Sequence, residues 1–275
     1  GAGRVARQGP EHADEDLLGH VVSLFRLADD ELIIGHRHTE WTGVAPILEE
    51  DIALSSIAQD EIGHAQAYYT LLSELGAGSP DQLAFLRQPA DFYNAQFCEL
   101  PNADWSFSIA RQFLYDTAES VRLAALAKSS YKPLAQLARK LSGEEKYHLL
   151  HARSWLNHLG HGTSESRLRL QAGIETAYPY ALALFETTPE DDALTADGVQ
   201  PPESELRDQW LAMIEPLLDE ARVVPSDIDY ASIYDSFTIT VLLQLEDLGF
   251  CAKGEGGRFV ADGGLISGVG KVPVN

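Results

Sequence analysis

Glu61-Ile62-Gly63-His64 and Glu145-Lys146-Tyr147-His148 repeat one spacing, a carboxylate followed three residues later by an imidazole. Both motifs sit in amphipathic runs of helical period. Three residues along an α-helix turn the chain through about 300° and advance it roughly 4.5 Å. Each Glu and His therefore share a face and can grip one metal ion or two adjacent ones. A carboxylate at matching depth on the helix before each motif would complete a carboxylate-bridged pair of metals inside a bundle. The chain offers both. With the first helix–helix turn centred at Ala45, Glu31 lies 14 residues before it and Glu61 lies 16 after it. With the second turn centred between Ser130 and Tyr131, Asp116 and Glu145 each stand 14.5 residues away.

The neighbours of these residues sharpen the reading. Glu61 shares its face with Leu54, Ile57, Ala58 and Ala65, and Glu145 shares its face with Ala138, Leu141, Leu149 and Ala152. Glu31 follows Leu24 and Leu27, while Asp116 lies between Ile109, Phe113 and Leu123. Carboxylates inside apolar stripes are costly to bury unpaired, and two divalent cations would offset their charge. The candidate ligands are therefore Glu31, Glu61, His64, Asp116, Glu145 and His148, with Glu119, one turn along the same face, as the substitute for Asp116. Oxygen-rich ligation with one His per metal suits iron or manganese better than structural zinc. Taken singly, a helical Glu is a solvated residue and a lone His on an apolar face is a core histidine. Six of them at consistent levels outweigh that reading.

Asp30, Asp60 and Glu144 are expected on the solvent side or behind the ligands, with Asp60 or Asp29 holding the outer nitrogen of a ligand His. His36 and His38, two residues apart, point to different helix faces and cannot act together. Arg37, Glu40 and Trp41 read as an inter-helix or subunit contact, and His151 and His158 as ordinary polar residues near the bundle end.

The elements that must position these groups follow from apolar periodicity and its breaks. Helices are expected over Asp14 to about Thr42, from Pro46 to near Gly76, from Trp105 to Ser130 and from Pro133 to Leu159, the last closed by Gly160-His161-Gly162. Short helices are expected between Ser79 and Asp104, longer ones over Ser164–Phe185 and Glu203–Ala221, and an acidic surface loop from Thr187 to Pro202. The fold class is all-α, a four-helix bundle with additional helices and an atypical Gly-rich tail. Residues 1–13 read as a disordered N-terminus opening on a vector scar, 14–224 as the bundle, and 225–275 as a separate piece: a possible helix over Ile228–Leu248, then loop and short strand.

The chain has 275 residues, 42 acids against 20 bases and a formal charge of −22. Nucleic acid and anionic membrane would both repel it. Two cysteines, Cys98 and Cys251, fit free thiols in a reducing compartment. With no apolar run of about 20 residues and no signal peptide, a cytoplasmic location is expected.

The segment Gly35–Asp60, opening Gly35-His36-Arg37-His38-Thr39-Glu40-Trp41, resembles the PaaC-type subunit of the multicomponent phenylacetyl-CoA epoxidase (monooxygenase). So do Ala110–Asp116, Glu145–Leu149 and Ser154–Thr163. The resemblance implies a ferritin-like fold and a cytoplasmic oxidoreductase of phenylacetate catabolism. It implies a di-iron site, or manganese in place of iron, with O₂ as co-substrate. It also implies an acyl-CoA substrate, a homo- or hetero-oligomer, and as partners a paralogous catalytic oxygenase subunit and a separate reductase. In that family the PaaC-type subunit often lacks metal ligands and acts as a structural scaffold. All six candidate positions here keep ligand chemistry, so an active oxygenase subunit and a non-catalytic scaffold with a vestigial site both stand, with iron storage a third reading. Ser226–Gly257 resembles an internal fragment of lipid-transfer-type thiolases. The Gly-His-Pro expected of a thiolase is absent, and no acyl-transfer role is carried over to Cys251.

Overall fold

A computed structural model describes residues 11–223 and 251–262, with residues 11–18 as backbone only. The opening Gly1-Ala2-Gly3 and the helix expected over Ile228–Leu248 lie outside the described residues. Helices α1 (Glu11–Thr39), α2 (Leu48–Glu74), α5 (Trp105–Leu126) and α6 (Lys132–His161) form the bundle, α1 packing chiefly on α2 and α5 on α6. Between α2 and α5 run the short α3 (Pro80–Phe85) and α4 (Gln96–Glu99). Then follow α7 (Ser164–Ala181), extended as a 3-10 turn to Phe185, α8 (Asp191–Ala196), α9 (Glu203–Glu220) and α10 (Gly256–Ala261). No strand occurs among the described residues, and the fold is the ferritin-like all-α class expected.

Helix α5 explains why the bundle needs extra helices. Nearly every residue from Ser106 to Leu123 is buried, because α6 covers one side and α7 and α9 the other. The buried apolar residues of α5, among them Phe107, Ile109, Phe113, Leu114 and Leu123, lie on more than one face, so one partner helix cannot cover them. Trp210 of α9 is fully buried and donates its Nε1–H to Thr117 Oγ1 of α5 at 2.9 Å. Asp104 caps α5, accepting from the Phe107 amide at 3.0 Å.

Five expectations are corrected. α1 stops at Thr39, where Thr39 Oγ1 donates to the His36 carbonyl, and the chain turns through Gly43 at φ +83°. α2 begins at Leu48 rather than Pro46, its first turn carrying Glu49, Glu50 and Asp51, which suit the positive end of the helix dipole. Gly162 caps α6, as the Gly160-His161-Gly162 segment leads one to expect, but Gly160 does not close it. It lies inside the helix where a Cβ would sit 1.9 Å from the Ala221 carbonyl oxygen, so glycine is needed for the end of α9 to approach. The acidic loop between α7 and α9 contains α8, whose Leu194 is buried. In the tail, residues 256–261 form a short helix where loop and strand were expected. Cys98 and Cys251 are not joined in a disulfide, and no helix among the described residues is long and apolar enough to cross a membrane.

Candidate metal centre

Among the described residues, apolar packing falls into two clusters. One is built on α5, α7 and α9, the other on the N-terminal half of α6 and the facing parts of α1 and α2. Within this interior the bundle carries a band of ionisable side chains. Glu31, Glu61, His64, Asp116, Glu145 and His148 are all at most 2% exposed. One atom each from Glu31, Glu61, His64 and Glu145 falls within 4.8 Å of the other three.

Two half-sites share the central carboxylates. His64 Nδ1 lies 3.5 Å from Glu31 Oε2, 3.6 Å from Glu61 Oε2 and 3.6 Å from Glu145 Oε1. His148 Nδ1 lies 3.0 Å from Glu145 Oε1 and 3.5 Å from Glu61 Oε1. Glu61 thus presents one oxygen to each imidazole, and Glu145 faces both. The rings themselves stack at 5.9 Å between centroids. Asp116 is buried in the same interior, and Glu145, His148 and Glu61 act on its acidity, but it is not part of the tight four-residue group.

The outer ring nitrogens are held crosswise. His64 of α2 donates from Nε2 to Glu144 Oε2 of α6 at 2.8 Å, and His148 of α6 meets Asp60 Oδ2 of α2 at 3.2 Å. The acid preceding the Glu in each motif therefore orients the imidazole of the other motif. Asp60 takes the role expected of it, and Glu144 is its counterpart. Asp29 does not. It is buried against Arg87, the Tyr69 hydroxyl and the Tyr93 amide, tying the segment after α3 to the bundle. Asp30 instead accepts from the Ala95 amide at 2.6 Å. Glu119 faces Arg122 at 3.7 Å, and Arg122 is in turn paired with Glu203 at 2.8 Å, so Glu119 joins a buried ion pair network while still acting on Glu31.

The electrostatics fit a cation. An Nε2–H donated to Glu144 leaves the Nδ1 lone pair of a neutral His64 aimed at three carboxylates. Both oxygens of Glu31, Glu61 and Asp116 are buried without a hydrogen-bond partner, as are Glu145 Oε2 and His64 Nδ1. Burial, reinforced by Glu61, pushes the pKa values of Glu31 and Glu145 up, and burial with Glu145 does the same to Asp116. Burial also opposes ionisation of His148, but its hydrogen bond to Glu145 and the nearby charge of Glu61 outweigh that and push its pKa up to about 12. Glu61 is held below its usual range, since Glu31 and His148 more than offset its burial. Such a cluster keeps its charge balanced by holding protons, and a metal ion would take their place. This buried Glu/His cluster can bind a metal.

Other residues near the site escaped the sequence reading. Gly35, one turn after Glu31, would bring an added Cβ to 3.0 Å from Glu61 Cβ and 3.1 Å from Ile62 Cγ1. Its bare backbone lets α1 and α2 come close enough for Glu31 and Glu61 to meet. Its place one turn from a candidate ligand was the available signal. His38 is buried with both ring nitrogens unpartnered, whereas His36 is exposed, so the two do face apart. Tyr68, four residues beyond His64, buries an unpartnered hydroxyl on the Glu31 and Glu119 side. Arg37, Glu40 and Trp41 make the expected inter-helix contact, with Arg37 reaching the Glu99 carbonyl and Trp41 Nε1 donating to Ser108 Oγ at 2.9 Å. His151 pairs with Glu50 at 2.7 Å, and His158 lies edge-on to Trp155.

Comparison with known proteins adds two findings. The profile of the phenylacetic acid catabolic protein family matches residues 6–233, and that of a thiolase C-terminal domain-like family matches residues 216–275. The chain is 35% identical over 207 residues to the C-type component of the 1,2-phenylacetyl-CoA epoxidase of Escherichia coli, covering 74% of this chain and 84% of that protein. The A-type component of the same organism's epoxidase is 28% identical over 166 residues, 57% of this chain and 53% of its own length. The C-terminal piece is 59% identical over 51 residues to a steroid side-chain-cleaving aldolase of Thermomonospora curvata, 18% of this chain and 13% of that protein.

Proposed function

This chain belongs to the phenylacetic acid catabolic protein family, and we propose that it is a metal-bearing subunit of an oxygenase complex that epoxidises the aromatic ring of phenylacetyl-CoA. The observation that carries the proposal is the pair of half-sites around Glu61 and Glu145, each with one imidazole fixed from behind by the other motif. Glu31 and His64 would hold one ion, Asp116 and His148 the other, with Glu61 and Glu145 between them. Two iron ions held there, or manganese in their place, would supply the redox chemistry for activating O₂. The oxygen-rich donor set with one His per ion favours those metals over structural zinc.

The residues of the chain hold and tune the site. Glu144 and Asp60 keep the Nε2 protons of His64 and His148 on the outer edge, so that each Nδ1 is presented inward. The apolar neighbours Ala58, Ala65 and Leu141 keep bulk water off the carboxylates. Electrons come from a separate reductase, and a paralogous oxygenase subunit completes the assembly. The bundle over residues 14–224 acts as one unit and the thiolase-like residues 225–275 as another.

A second reading is kept because Asp116 stands outside the tight four-residue group. On it the chain is a scaffold subunit of the same complex with a vestigial site. Metal analysis together with turnover decides between them. About two ions per chain, with phenylacetyl-CoA consumed given reductase but no paralogue, supports the active subunit. Metal-free protein whose complex turns over normally supports the scaffold.

A further inference from the structure

Glu145 is buried, yet it forms part of the wall of a cleft of about 200 Å³ that opens between α5 and α6. Ser120 of α5 lines one side; Ser142, Lys146, Leu149, Leu150 and Arg153 of α6 line the other. We propose that this cleft is the mouth through which the aromatic acyl group of a phosphate-bearing thioester reaches the metal centre, with Lys146 and Arg153 holding its phosphates at the rim. The inference rests on the reading above that the substrate is an acyl-CoA.

Size comes first. Cavities that engulf a whole drug-sized ligand run to roughly 300–1,000 Å³. This one suits a ring and its acyl arm, leaving the nucleotide end of the carrier outside on the surface. The wall chemistry agrees. Leu149 and Leu150 supply apolar surface, and the Ser142 hydroxyl is already committed to the Ala138 carbonyl at 2.7 Å.

Charge is the stronger argument. In a chain with 42 acids and 20 bases, the rim of a cleft that Glu145 helps to wall carries two cations. They stand seven residues apart, which is two helical turns or roughly 10.5 Å. Lys146 makes no ion pair among the described residues, its ammonium resting 4.7 Å from the Tyr147 ring. Arg153 reaches only Glu220, at 3.7 Å, with both side chains largely in water, where such pairs are weak. Both cations can turn to phosphate, the anion that Arg and Lys bind best. Next to them in the chain, Tyr147 and Leu150 are 63% and 64% exposed and offer apolar surface to a purine.

The test titrates the metal-loaded complex with phenylacetyl-CoA and with phenylacetyl-pantetheine, which keeps the acyl arm and lacks the nucleotide phosphates. In Lys146→Gln/Arg153→Gln, affinity for the CoA thioester should fall about tenfold or more, while affinity for the pantetheine thioester changes by less than about twofold. Leu149→Trp, which fills the cleft, should weaken both ligands without changing metal content. Unchanged CoA-thioester affinity in the double variant overturns the inference. So does loss of subunit assembly at unchanged affinity, which would assign the two cations to an acidic partner surface. A wild-type complex that binds neither thioester overturns the acyl-CoA reading itself.

Discussion

Glu144 Oε2 lies 2.8 Å from His64 Nε2, although the two residues are 80 positions apart on helices α6 and α2. The carboxylate is nearly half exposed, and the imidazole is buried. A surface acid thereby sets which nitrogen of a buried ring faces the carboxylate cluster. Glu144→Gln can present its NH₂ or its carbonyl to that nitrogen and no longer enforces the choice. Metal affinity should fall about 10- to 100-fold, the usual effect of losing such a partner. Asp60→Asn should act likewise through His148. Competition with a chromophoric chelator measures both, and unchanged affinity would remove the orienting role.

Gly35→Ala tests how α1 meets α2. The added methyl would lie 3.0 Å from Glu61 Cβ and 3.1 Å from Ile62 Cγ1. Overpacking of this kind costs about 1–3 kcal/mol. Because relief requires Glu61 to move from Glu31, bound metal should drop more sharply than stability, as read by elemental analysis beside thermal melts. Full metal content in a destabilised protein would mean that the helices part elsewhere.

Gly160 and Gly143 lie in the same helix and should respond oppositely. A Cβ at Gly160 would collide with the Ala221 carbonyl, whereas one at exposed Gly143 meets nothing within 4 Å. Gly143→Ala should stabilise by about 0.5–1 kcal/mol through helix propensity. Gly160→Ala should destabilise by more than about 2 kcal/mol, since backbone must shift. Urea denaturation of the two variants gives the signs.

His38 supplies a pH dependence. Burial lowers its pKa from 6.5 to about 3, while in the unfolded chain it takes a proton near the ordinary value. Its contribution to stability is therefore complete above pH 6.5 and is lost as pH falls toward 3. Relative to His38→Leu, the wild-type protein should lose about 2 kcal/mol between pH 6.5 and pH 5. Denaturant melts of both proteins at each pH check this, and parallel curves would show that His38 is protonated in the fold.

Helices α1, α2 and α6 were legible because burial there follows a 3.6-residue period, and the meeting of Glu31, Glu61, His64 and Glu145 was legible because antiparallel helices convert distance from a turn into depth. Asp116 lay at the right depth, but depth alone does not fix rotation about the α5 axis, and Glu119 was drawn off by Arg122. Gly160 could not be read, since its reason is the Ala221 backbone at the end of another helix, whereas Gly35 carried only the hint of its place one turn from Glu31. Asp29 looked equivalent to Asp60, yet Arg87, 58 residues away, claims it. Each of these turns on a partner distant in the chain, which local periodicity does not encode.

The most direct test of the metal centre is anomalous scattering at the iron absorption edge from crystals of the full chain grown with ferrous iron. The account predicts two peaks flanking Glu61 and Glu145, one beside His64 and Glu31 and one beside His148 and Asp116. A single peak, or none at these side chains while the protein remains folded, would contradict it.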